Sequence, residues 1–155
     1  MLVNNAGVTG GKGVADNDLE SFDRCMNLNL RAATICMQEA IADMAGKTEA
    51  AIINISSMNA HRIVAGRTSE FYAAGKHALR VITDGARAEL AGKRSSVKVA
   101  MISPGMVDTE WHHPVSGRRE FKPLEPEDIA VLYILSAPAH VQICDIQIRA
   151  IHQVY

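Results

Sequence analysis

Ala51-Ile52-Ile53-Asn54-Ile55-Ser56-Ser57 is the stretch on which the fold turns. Its apolar residues run almost without a break, are mostly β-branched, and are too few for a helix. Residues 51–56 therefore read as a strand covered on both faces. Such strands belong to parallel sheets, whose neighbours are joined by long, usually helical, crossovers.

The flanking sequence supplies those crossovers. Upstream, Met1-Leu2-Val3 is a short buried strand running into Asn4-Asn5-Ala6-Gly7 and a glycine-rich loop that reaches Gly13. Asp16 or Asn17 caps a long helix, about 17–45, with Phe22, Met26, Leu30, Ile35, Met37 and Ile41 along it and Gly46 at its end. Downstream, a loop holding His61, Arg62 and Gly66 leads to a second long helix, roughly Ser69 to Leu90. Its small residues, among them Ala73, Gly75 and Ala86, suit close packing. Val97–Ile102 is the next strand, closed by Ser103-Pro104-Gly105. A polar loop with Trp111 follows. Pro126 opens a third helix, about Glu127 to Ser136, and Asp145–Ile148 is a last strand.

This rhythm predicts one α/β domain over residues 1–155, with about four parallel strands and three helices. It reads as the second half of a Rossmann-like doubly wound sheet, with the N-terminal nucleotide-binding half missing. The glycines after the first strand do not replace that half. Gly13 follows Gly11-Lys12 where a phosphate loop needs Ser or Thr, and Asp16 stands where the dinucleotide pattern needs glycine. Without a helix N-terminus on the pyrophosphate, cofactor affinity should fall by orders of magnitude. The open side of the first strand should be an unprotected apolar edge.

Composition narrows the function. The 155 residues are 48% apolar, enough for a real core, and a net charge of −1 lacks the footprint of a nucleic-acid binder. Cys25, Cys36 and Cys144 share no metal-ligand spacing and read as reduced, mostly buried thiols. The histidines show no zinc pattern, His112-His113 included. No basic n-region opens the chain and no apolar run is long enough for a membrane, so a soluble cytoplasmic protein is expected.

The chemistry lies in Tyr72-Ala73-Ala74-Gly75-Lys76. Residues four apart share a helix face, so the Lys76 ammonium can approach the Tyr72 phenol. A free phenol titrates near pH ~10, and bringing it to neutrality needs roughly 4 kcal/mol. One ammonium at ~4 Å supplies about that much at an effective dielectric of ~20. Taken alone the spacing is a common accident on helix surfaces. Ser57, at the carboxyl end of a parallel strand, adds a hydroxyl that can hold a carbonyl oxygen, although a serine simply turning a strand would look the same. Asn29 can bond backbone or water, or be an exposed helical polar residue. Pro104-Gly105 makes either a plain turn or one that a planar ring can approach.

As a set, Asn4-Asn5-Ala6-Gly7, Asn29, Ser57, Tyr72-x-x-x-Lys76 and Pro104-Gly105 resemble the short-chain dehydrogenase/reductase family, in order and spacing, over nearly the whole chain. Residues 52–62 and 138–143 look more narrowly like the insect farnesol dehydrogenase-like group. The resemblance implies an oxidoreductase that interconverts an alcohol and a carbonyl with NADP(H), NAD(H) being possible. Tyr72 would be the general acid/base, and Lys76 would lower its pKa and bond the nicotinamide ribose. Ser57 would orient the substrate oxygen, and Asn29 would hold a water relaying protons toward Lys76. Asn5, Ala6 and Gly7 would line the adenosine side. Pro104, Gly105, Val107 and Thr109 would face the nicotinamide. The substrate would be a small to medium, fairly apolar alcohol or carbonyl compound, isoprenoid or steroid-like. The two long helices would make a homo-oligomer's dimer contacts. They also permit a second reading, a truncated, catalytically silent chain that pairs with full-length relatives.

Overall fold

Side chains alternate across a strand, so a strand apolar at nearly every position must be covered twice. The computed structural model, which describes residues 1–9, 13–16, 18–63, 70–110, 121–129 and 131–154, shows that cover. Strands β1 (Leu2–Asn4), β2 (Ala51–Ile55), β3 (Lys98–Pro104) and β4 (Asp145–Ile148) form one sheet in the order β1-β2-β3-β4, every pair parallel. Ile52 pairs with Leu2 on one side and Val99 on the other, which places β2 inside the sheet.

Helices α1 (Leu19–Met26) and α2 (Ala33–Asp43) connect β1 to β2, α3 (Glu70–Gly92) connects β2 to β3, and α4 (Val131–Ser136) connects β3 to β4. On one face Ile52 and Val99 pack with Met37, Met44 and Leu90. On the other, Ile53, Ala100 and Ile102 pack with Ile134. Each fully buried isoleucine contributes roughly 1.5–3 kcal/mol. The sheet grows in one direction from β1 to β4, yet α4 covers the face opposite to α2 and α3. The last crossover therefore has the opposite hand to the two before it, a departure from the near-universal rule for such units.

A polar ladder threads the first layer. Asn4 Nδ2 donates to Asn54 Oδ1 at 2.8 Å, Asn54 Nδ2 donates to Thr83 Oγ1 at 2.8 Å, and Thr83 Oγ1 donates to Leu79 O at 2.7 Å. It ties β1, β2 and α3 together, and it explains how the apolar strand tolerates a fully buried asparagine.

Several expectations need correction. The first long helix starts at Leu19, with Asp18 as its cap: the carboxylate accepts from Ser21 N at 2.6 Å. Asn17 lies outside the described residues, as do Gly66, Ser69, Trp111 and His112-His113. The helix is also not uniform, because residues Asn27–Ala32 form a π-helical turn. The third helix shrinks to a 3-10 turn, Pro126–Asp128, followed by α4, since Ile129 between them is extended. Strand β3 continues through Pro104. Strand β2 has already ended opposite Ile102, so the missing proline N–H leaves no ladder bond unmade there. The cysteines are not mostly buried: Cys25 is, but Cys36 and Cys144 are exposed. Gly46 behaves as expected, taking a φ of 77° just past α2.

Strand β1 has a partner on one side only among the described residues, and Val3 is 38% exposed.

Candidate active site

Chemistry in open parallel sheets gathers at the carboxyl ends of the strands. There the ends of β2 and β3 open into a cavity of about 900 Å³. Ser57, Tyr72, Lys76, Asn5, Pro104, Gly105, Val107 and Thr109 all line it. Ala6, Gly7 and Asn29 do not.

Ser57 leaves β2 and caps a single 3-10 turn, Met58–Ala60, with its Oγ accepting from Asn59 N at 3.1 Å. The first turn of α3 brings Tyr72 into the same cavity, where the Ser57 hydroxyl is near enough to act on the phenol. One turn later Lys76 is 3% exposed; its Nζ donates to Ile55 O at 2.8 Å and lies 5.7 Å from the centre of the Tyr72 ring. The three residues are thus brought together by the end of β2 and the start of α3.

Their protonation differs from the sequence expectation. Burial pushes the Tyr72 hydroxyl above the ordinary phenol range; the Ser57 bond opposes this and a Cys25 charge would add to it. Burial also lowers Lys76 to about 8, with Cys25 opposing. Desolvation wins at both groups. The Lys76 ammonium over the Tyr72 ring is itself bonded to the Ile55 carbonyl.

Asn29 is 1% exposed, so its exposed-helix alternative is excluded. Its Oδ1 accepts from Val8 N at 2.9 Å while its Nδ2 donates to Val8 O at 2.7 Å and Cys25 Sγ at 3.0 Å. The amide brackets the loop after β1, and the π-helical turn is what aims it there, as such turns do at functional sites. Gly75 lets α3 press against that turn, because a Cβ there would sit 3.4 Å from Asn29 Cβ.

Two contributors were missed. Arg62 lines the cavity, yet the sequence marks it only as a loop residue. Gln153 also lines it, and its Oε1 accepts from Met106 N at 3.0 Å. A Cβ on Gly105 would lie 2.3 Å from that same oxygen. Gln153 crosses above the glycine, and Arg149 Cβ, 2.9 Å from the same added carbon, leaves still less room for a side chain there. No local pattern foretells a contact between residues so far apart.

Among the described residues there is no cluster of metal-ligating side chains, and no helix is long and apolar enough to cross a membrane. The family model for short chain dehydrogenases matches residues 1–120. The chain belongs to this family. It is 34% identical to human dehydrogenase/reductase SDR family member 11 over 99% of its own length and 64% of that protein's. A metagenomic blue fluorescent protein in complex with NADPH superposes with a TM-score of 0.78 at 31% identity, over 95% of this chain and 62% of the other. The closed form of a serine dehydrogenase complexed with NADP+ shares the fold, with a TM-score of 0.86 at 24% identity, over 99% and 66% of the two chains. The chain thus spans a little under two thirds of the length of the human relative.

Proposed function

We propose that this short-chain dehydrogenase is an NADP(H)-dependent oxidoreductase that interconverts an alcohol and a carbonyl, NAD(H) being the alternative cofactor. One observation carries the reading: Tyr72, Ser57 and Lys76 line one large cavity together, with the Lys76 ammonium over the Tyr72 ring. The residues present suit the nicotinamide half of the cofactor, since Lys76, Pro104, Gly105, Val107 and Thr109 border the same space as Tyr72. Asn5 lines that cavity too, and Ala6 and Gly7 follow it on the loop that Asn29 holds. NADP-bound proteins of the same fold support the cofactor choice.

The chemistry that cofactor would supply is hydride transfer to or from the substrate carbon. Tyr72 holds its proton at neutral pH, as any phenol does and burial reinforces, and can give it to a carbonyl oxygen. Ser57 holds that oxygen as negative charge develops. The Lys76 ammonium favours the phenolate left behind. Walls of Met58, Met106, Ile129 and Val131 support an apolar substrate, isoprenoid or steroid-like in the sense of the farnesol dehydrogenase-like group. We further read the protein as cytoplasmic and as a homo-oligomer.

A second reading, a silent chain acting by pairing with longer relatives, is favoured by exposed apolar residues on the long helices. Ile35, Val81 and Ile82 are 42%, 69% and 39% exposed. Titrating NADPH fluorescence and assaying aldehydes and ketones separates the two. Micromolar binding lost in Lys76→Ala, with turnover falling about 10²- to 10⁴-fold in Tyr72→Phe while binding persists, is the expected result. No binding and no turnover in the parent chain would reject the enzyme reading.

A further inference from the structure

Ser57 reaches the cavity on one 3-10 turn, an element with few bonds of its own. Ala60 N donates to Ser57 O at 2.9 Å and His61 N donates to Met58 O at 3.1 Å, so Ser57 and His61 are the two ends of one turn. The near end is fixed to the sheet, where Ser56 N donates to Ile102 O at 2.7 Å. The far end is fixed by a side chain. His61 Nε2 lies 3.0 Å from Ser103 Oγ and 3.3 Å from Asp145 Oδ2, and Ser103 Oγ donates to Asp145 Oδ1 at 3.2 Å.

The roles in this cluster follow from counting protons. An ionised Asp145 only accepts, and Ser103 gives it its single proton. Ser103 Oγ can then only accept from His61, so Nε2 carries the hydrogen and shares it between both partners. A serine, a histidine and an aspartate invite comparison with a nucleophile and its base, and the comparison fails. One ring nitrogen serves both neighbours, the hydroxyl proton points at the carboxylate, and Ser103 is fully buried. None of the three lines the cavity. The cluster is a clamp.

We propose that His61 is a positioning residue for Ser57: held by Ser103 on β3 and Asp145 on β4, it fixes the turn that presents the Ser57 hydroxyl to Tyr72. This rests on the reading of Ser57 and Tyr72 given above. The charged groups acting on His61 are Asp145 on β4, Arg80 and His77 on α3, and Arg62 next in the chain. Asp145 favours the imidazolium, while burial and the three other groups disfavour it and prevail. The ring is therefore a neutral Nε2–H donor at pH 7, and the clamp needs no charge.

The test needs neither cofactor nor turnover. The Tyr72 hydroxyl is followed by NMR of ring-labelled tyrosine, assigned with Tyr72→Phe. Since Ser57 acts to lower the titration of Tyr72, Ser57→Ala sets the full upward shift. His61→Ala and Asp145→Ala should each give at least half of that shift, and His61→Gln, which keeps a donor, should restore the parent value. Adding His61→Ala to Ser57→Ala should change nothing more. A folded His61→Ala with the parent titration, or a shift that adds to that of Ser57→Ala, would overturn the proposal. If His61→Ala does not fold, Asp145→Ala at the partly exposed edge decides by the same criteria. A chain without oxidoreductase activity still returns either answer, so failure here is distinct from failure of the functional reading.

Discussion

Lys76 is a cation that folding carries almost wholly out of water, and its pKa records the cost. The sign follows from linkage. A lysine that titrates near 10.5 when unfolded and at about 8 when folded binds fewer protons in the folded state between those values. Its penalty is complete below pH 8 and is relieved as pH rises. Denaturant midpoints of the parent and Lys76→Met should therefore converge, the parent gaining on the variant from pH about 8 to 10. A constant difference would mean that Lys76 is as well solvated folded as unfolded. The same residue shows what spacing can and cannot say. Tyr72 and Lys76 were legible because four residues make one helical turn, and Ser57 because a strand ends there. Whether the charge or the burial controls the phenol depends on surroundings assembled from β2, α1 and α3, which no spacing contains.

At the scale of elements, the strands were legible because each is a short run built around Val or Ile, and the helices because their apolar residues recur along a turn. The π-helical turn was not, since the contact it serves joins Asn29 to Val8, which belong to different elements. Nor was the tail, because Gln153 meets Gly105 only after β3 and β4 have paired. Gly105→Ala should destabilise the chain by about 1–3 kcal/mol, the usual range for overpacking. Combining it with Gln153→Ala should recover part of that loss, although Arg149 Cβ, 2.9 Å from the added methyl, still crowds it. Thermal unfolding of the single and double variants measures this, and strict additivity would deny the contact. The buried ladder makes a second demand. Asn54→Leu strands donor and acceptor groups on Asn4 and Thr83 and should cost at least about 1–3 kcal/mol in urea unfolding.

For the whole molecule, the α/β class and the parallel sheet were legible from the order of elements. The change of hand at α4 was not, because Ile134 looks equally apolar toward either face. The same crossover has a chemical consequence. Met106, Val107 and Thr109 on its way out of β3 and Ile129 and Val131 on its return all border the cavity. One link between neighbouring strands therefore both completes the sheet and walls the space that Tyr72 borders.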